Sequence, residues 1–347
     1  MGDMASNHPL HPDLLLERKP SFMNWYENVV NVCLGIQPGE RVLLITDTDL
    51  STEQELLARA IESARPAELR RWTLPEDERP LQTAPPDILE CARTFDVGIH
   101  LLAHTSSEEQ PYRLSLLQAT SEGGRLRMGA GLYIDHAILE NELSADYEAI
   151  ARITYRLRDR LQGRSEVRIV SPLGTDLRLS IAGRQVAVDP GIIREPGYYN
   201  LPSGECYVAP LEDSAEGILV VDKSFPGILI HEPITLTFES GRVVAIEGGE
   251  EARRLLRLIE AGEQKPNGEG CRTIAELGIG TNPAARITGN VMTDEKVMGT
   301  IHIAIGHNAV APYNGKNHAP LHLDGVMGQP TLTVDDEVLI DKGKYLV

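Results

Sequence analysis

The chain has 347 residues, 41% of them hydrophobic and 24% charged, which is ordinary for a folded globular protein and long enough for two cores. Its 33 basic and 51 acidic residues leave a formal charge of −18, with the acids spread along the whole sequence. A nucleic acid or an acidic membrane surface would be repelled, because binding either needs clustered Lys and Arg, and both are set aside as partners.

After a polar start, the pattern predicts a helix over Leu14–Leu34, a turn at Gln37-Pro38-Gly39-Glu40 and a strand over Arg41–Thr46. Ser51-Thr52-Glu53-Gln54 supplies an N-cap and an acidic first turn for a helix to about Ala64, and the strand Glu68–Thr73 follows. A helix over Asp87–Thr94 precedes the strand Asp96–Ala103, whose nearly unbroken apolar run calls for burial on both faces. A helix over Glu108–Ala119, a strand over Arg125–Ala130 and a long amphipathic helix over Ala145–Leu161 complete the series. Strands alternating with helices at this spacing predict an α/β layer with a parallel sheet, flavodoxin-like or Rossmann-like. No G-x-G-x-x-G or G-x-x-x-x-G-K-[ST] follows any of these strands, so no nucleotide cradle is expected and this half reads as scaffold.

From Arg164 onward the texture changes to short strands separated by Gly, Pro and Asp turns: Val167–Val170, Asp176–Ile181, Gly217–Val221, Ile228–Phe238 and Arg242–Ile246. Glu239-Ser240-Gly241 marks a hairpin, and one helix, Glu250–Ala261, interrupts the series before a polar link. The expected architecture is an α/β scaffold domain over residues 1–163 and an α+β, largely antiparallel domain over 164–347 that carries the chemistry. Cys33, Cys91, Cys206 and Cys271 are scattered with no C-x-x-C, so neither a disulfide framework nor a zinc ribbon is expected. With no basic-then-apolar leader and no bilayer-length apolar run, the expectation is a cytoplasmic protein.

Chemistry concentrates in the second half. Leu201-Pro202-Ser203-Gly204-Glu205 puts a carboxylate just after a turn and before the apolar strand Cys206–Ala209, where it can be aimed into a cleft. Glu276 lies among Ile274, Ala275, Leu277 and Ile279, and an ionised carboxylate among such neighbours is costly unless it is paired or binds a cation. In the strand Thr300–Gly306, Ile301, Ile303 and Ile305 share one face while His302 shares the other with Ala304 and Gly306, residues that leave space. In His322-Leu323-Asp324 the alternation sends an imidazole and a carboxylate the same way, a pair suited to Zn, Co, Mn or Fe. Two histidines and up to three carboxylates exceed what one tetrahedral zinc needs, which points to a two-metal hydrolytic site. Asp294-Glu295-Lys296 reads most simply as a solvated turn near the mouth of the His302 strand, and His100, His104 and His136 as structural or exposed.

LPSGECYVAPLEDSAEG, TIHIAIG and NHAPLHLD, in this order, resemble motifs of the aminopeptidase T/S family of metallo-aminopeptidases. The resemblance implies metal ligands at Glu205, Glu276, His302, His322 and Asp324, with Glu205 and Glu276 also able to act as catalytic base. It further implies divalent ions such as Zn, Co or Mn, short peptides as substrate, release of their N-terminal residues, and a homodimer. The family's tyrosine ligand is replaced by Ala309, leaving Tyr313 or His307 to substitute. More distantly the sequence is similar, around DSAEG and HLD, to the 2,5-dihydroxypyridine dioxygenases, which use mononuclear iron. That similarity implies an alternative: Fe(II) held by His302, His322 and Asp324 for ring cleavage. The same similarity implies a histidine where this chain has Glu276 and no acids equivalent to Glu205 and Glu276, so the presence of both acids here favours hydrolysis as the expectation.

Overall fold

A computed structural model describes residues 23–225 and 228–347. In the first half, the strand Arg41–Asp47 sends Leu43 and Ile45 into one apolar cluster and Val42 and Leu44 into another, so both of its faces are buried. It lies second in a five-stranded parallel sheet ordered Glu68–Leu74, Arg41–Asp47, Val97–Leu102, Arg127–Leu132, Gly197–Asn200. The order of the first four strands is that of flavodoxin-like layers, in agreement with the α/β expectation. The fifth strand, Gly197–Asn200, is short and half-buried, and brings a later part of the chain back to this sheet.

The expected helices are present at Ser51–Ser63, Pro86–Thr94, Gln110–Gly123 and Tyr147–Leu161. The last is capped by Asp146, whose carboxylate accepts from the Ala149 N–H at 2.9 Å. Its Tyr147 and Ile150 pack in the first half and its Leu157 and Leu161 in the second, which joins the two. Of the helix predicted over Leu14–Leu34, residues 14–22 lie outside the described residues; helical turns run from Trp25 to Cys33.

His100 is a core residue. Its Nδ1 lies 2.9 Å from the Tyr198 hydroxyl and its Nε2 2.9 Å from that of Tyr112. Burial, with Arg113 adding to it, pushes its pKa down from 6.5 to about 3. Between those values the unfolded chain binds a proton that the folded chain does not, so stability falls as the pH drops below 6.5, by about 1.4 kcal/mol per unit. Urea unfolding of the wild type and His100→Gln at pH 6.5 and 5 is therefore expected to show the wild type losing about 2 kcal/mol more than the variant. Equal losses would contradict the neutral, tyrosine-bound imidazole.

The second half is antiparallel, as expected. One sheet has eight strands, with Glu166–Val170 and Asp176–Ser180 at its centre and the hairpin Ile234–Glu239/Arg242–Glu247 at one edge. The other has seven, in the order Ile228–Leu229, Ser224–Phe225, His322–Gly328, Thr300–Gly306, Ile274–Gly280, Glu205–Val208, Ala187–Asp189. A single apolar cluster joins them, drawing Ile169, Leu177 and Leu219 from the first and Leu277, Ile303 and Leu323 from the second. The strand expected over Ile228–Phe238 is in fact two: Ile228–Leu229 and Ile234–Glu239 belong to different sheets. Pro233 stands between them, and a residue with no N–H to donate cannot continue a ladder. All four cysteines are unpaired. Among the described residues no helix is long and apolar enough to cross a membrane.

Candidate metal centre

The seven-stranded sheet has one face in the core and one turned away from it. Leu277, Ile279, Ile301, Ile303 and Ile305 fill the core face. A β-bulge between Ile274 and Glu276 lets Ile274 and Leu277 both enter the core while Glu276 turns to the other side. On that other side the register sets Glu205 opposite Gly280, His302 opposite Gly278, Glu276 opposite Ala304, Asp324 opposite Ala304, and His322 opposite Gly306. Every one of these polar groups thus has a glycine or alanine opposite it on at least one side of its strand. The need is steric: a Cβ on Gly278 would lie 1.8 Å from Nε2 of His302, so the imidazole rests directly on the glycine.

The five residues singled out from sequence come together here. Glu276 bridges the two histidines, with Oε1 3.3 Å from His302 Nε2 and Oε2 3.1 Å from His322 Nε2. Nε2 of His322 is also 3.3 Å from Asp324 Oδ1, and Nε2 of His302 is 3.5 Å from Glu205 Oε2. The Nδ1–H of His322 donates to the His307 carbonyl at 2.7 Å, which aims its other nitrogen at the acids. Glu205, Glu276, His302 and Asp324 are buried; His322 is partly exposed and marks the open side.

The charges are strongly coupled. Burial opposes ionisation of Glu276, but hydrogen bonds from His302 and His322 overcome it and hold its carboxyl well below the usual range. Burial likewise disfavours the protonated form of His302, yet Glu276, Glu205 and Asp324 raise it to about 9. His322 is raised in the same way against its burial, by Asp324 and Glu276.

A divalent ion fits this set. His302 Nδ1 is buried with no hydrogen-bond partner, and Glu205 Oε2 and Asp324 Oδ1 are buried with nothing better than the loose imidazole approaches of 3.5 and 3.3 Å, although such groups are normally satisfied. Two groups of three donors each have their atoms within 4.8 Å of one another: Glu276, His322 and Asp324 in one, Glu205, Glu295 and His302 in the other. Buried nitrogen and oxygen donors of this kind could hold a metal ion, and suit Zn, Co, Mn or Fe.

The segment Asp294-Glu295-Lys296 is not the solvated turn that its charge suggests. Asp294 and Lys296 are fully buried. Asp294 accepts from the backbone N–H groups of Thr288 and Gly289 at 2.7 and 2.9 Å. The Lys296 ammonium donates to Glu205 Oε1 and Glu295 Oε1, each at 2.6 Å. Glu205 and Glu295 enter this contact at a cost, since burial raises both carboxyls and the ammonium opposes it. The approach depends on Gly280, where a Cβ would sit 2.3 Å from the Val297 carbonyl oxygen.

Of the two residues suggested as substitutes for a tyrosine ligand, Tyr313 is the one whose side chain faces the site. Its ring lies 5.3 Å from that of His322 and 5.3 Å from that of Tyr207. His307 contributes its carbonyl to His322. A cavity of about 800 Å³ opens beside Tyr313, lined also by Arg184, Glu212, Asn314, Lys316 and Asn317. His104 and His136 lie on the surface, away from this cluster.

Comparison with known proteins adds the following. Residues 134–347 match the NicX family model, described as 2,5-dihydroxypyridine 5,6-dioxygenase. The 2,5-dihydroxypyridine 5,6-dioxygenase of Pseudomonas putida is 29% identical over 198 residues, 52% of this chain and 54% of that protein. Aminopeptidase AmpS of Bacillus subtilis is 26% identical over 187 residues, 47% of this chain and 43% of that protein. The chain therefore spans about half the length of the curated relatives it matches. The solved structure of the P. putida dioxygenase superposes with a TM-score of 0.73 at 19% identity, over 98% of this chain and 99% of that one. Wild-type AmpT from Thermus thermophilus gives 0.68 at 17% identity, over 93% and 98%. These two structures show the fold, an α/β layer followed by antiparallel sheets, which is common to dioxygenase and aminopeptidase alike.

Proposed function

Because the chain belongs to the family described as 2,5-dihydroxypyridine 5,6-dioxygenase, we propose that it is a metal-dependent dioxygenase that opens a small hydroxylated nitrogen heterocycle such as 2,5-dihydroxypyridine. The observation that carries this reading is the Glu276–His322–Asp324 group, three convergent donors on one sheet face with an aromatic side chain beside them. These residues would hold one divalent ion, and the resemblance to dioxygenases that use mononuclear iron makes Fe(II) the first ion to try. The ion's contribution is to activate dioxygen toward an electron-rich ring.

The protein's own residues do the rest. His302 donates to the Glu276 oxygen that does not face His322, and so fixes the carboxylate plane. The His307 carbonyl holds the tautomer and tilt of His322. Tyr313 and Tyr207 offer aromatic faces against which a flat ring can stack, and the adjoining cavity is lined by polar groups, Arg184 paired with Glu212 and Lys316 among them. In the overall reaction one ring bond breaks and both atoms of one O₂ enter the product, the substrate itself being the reductant. Protein reconstituted with Fe(II) without air is accordingly expected to consume one O₂ per 2,5-dihydroxypyridine with no added reductant. Absence of oxygen uptake and an unchanged ring absorbance would contradict the reading.

A second reading, a metallo-aminopeptidase, is favoured by one specific observation: Glu205 and Glu295 add two carboxylates beyond the three donors that an oxygenase needs. With an ion present, Glu205 could accept a proton from an attacking water. The same preparation loaded with Zn, Co or Mn and given aminoacyl amides separates the two readings, and no release above background is expected.

A further inference from the structure

The second donor group, Glu205, Glu295 and His302, would by its residue types hold an ion of its own. Yet one oxygen of each of its carboxylates is already bound, at 2.6 Å, to the Lys296 ammonium. That ammonium is sealed, with no exposed surface. We propose that Lys296 is a built-in cation occupying the second metal position, so that the chain holds a single divalent ion, on Glu276, His322 and Asp324, and the Glu205 side stays closed to metal. The inference rests on the reading that Glu276, His322 and Asp324 bind a divalent ion.

Three features support it beyond the distances. First, the stem that carries the ammonium is anchored through its backbone. The Lys296 N–H donates to the Thr293 carbonyl at 3.0 Å, and the Lys296 carbonyl accepts from the Asn282 N–H at 2.8 Å. The Asn282 side chain in turn donates to the Ser203 carbonyl at 3.0 Å, two residues before Glu205, so both partners of the ion pair are referred to one anchor. Second, an ion on the same Glu205 and Glu295 oxygens would sit within a few ångströms of a buried positive charge, where screening by solvent is weak. Third, Lys296 supplies positive charge that a second ion would otherwise bring: with it and one divalent ion, Glu205, Glu276, Glu295 and Asp324 are left with a single net negative charge, and a second divalent ion would reverse that sign instead of removing it.

The test is metal stoichiometry, which needs no substrate. Purified full-length protein is loaded with Mn(II), freed of excess, and measured by elemental analysis and by electron paramagnetic resonance for paired spins. The wild type is expected to hold one Mn(II) per chain without spin coupling, and Lys296→Met two, with coupling. Two ions in the wild type, or one ion in a folded Lys296→Met, would overturn the proposal. No ion in the wild type would sink the underlying metal reading and this proposal together, a distinct result. Should Lys296→Met not fold, ion placement in the wild-type background still decides. His322→Ala is expected to weaken Mn(II) binding more than about 100-fold, and His302→Ala, at a residue that meets Glu205 and the far oxygen of Glu276 but lies outside the proposed shell, about tenfold. The reverse order would place the ion on the Glu205 side and overturn the proposal.

Discussion

Glu276→Ala is expected to lower affinity for the divalent ion by at least about 100-fold and to abolish turnover with it. The carboxylate is one of three donors in the proposed shell and the group that separates His302 from His322. Its loss leaves two donors for the ion and two buried or half-buried imidazoles with no shared acceptor. Isothermal titration with Mn(II) or Fe(II) reads the affinity directly. The outcome also discriminates between ligand sets. An ion held by His302, His322 and Asp324, the set expected for the oxygenase from resemblance, would survive the change with only a modest loss. An ion that needs Glu276 would not.

Gly278→Ala is expected to destabilise the fold by about 1–3 kcal/mol and to force the His302 ring out of place. The new methyl would lie 1.8, 2.2 and 2.6 Å from Nε2, Cε1 and Cδ2 of that ring. The backbone has no freedom to yield, since Gly278 is paired with Tyr207 on one side and His302 on the other. The ring must therefore move, and with it the contact to Glu276. Removing the ring first should remove most of the cost. In a double-mutant cycle the penalty of Gly278→Ala in a His302→Ala background is expected to fall by more than half, as it does for residues that share one space. Additive penalties would show that the ring does not rest on Gly278.

Much of this site can be read from alternation alone. His322 and Asp324 lie two residues apart on a strand, and His302 shares its face with Ala304 and Gly306; both patterns put the right side chains on the right face. The same rule finds the parallel sheet of the first half, because a strand buried on both faces must be apolar throughout. What alternation cannot supply is register between distant strands. That Glu205 faces Gly280, and so stands beside His302 and Lys296, follows from a pairing across some seventy residues of sequence and from the small size of Gly280.

The misreading of Asp294-Glu295-Lys296 has the same origin. Three consecutive charges are ordinarily solvated, and nothing local distinguishes a segment whose charges are answered by Glu205 and by the backbone of Thr288 and Gly289. A glycine facing the segment, Gly280, was the available signal, and it becomes meaningful only once the pairing is known. The strand expected over Ile228–Phe238 failed for a local reason that was visible, Pro233, which ends one ladder and starts the next element in a different sheet.

The position of a bound ion tests the central claim most directly. In crystals grown with Mn(II) or Fe(II), the anomalous difference map is expected to show one peak per chain, about 2.0–2.2 Å from an oxygen of Glu276, Nε2 of His322 and an oxygen of Asp324. A peak bounded by Glu205 and Glu295, or no peak at saturating metal, would contradict the account.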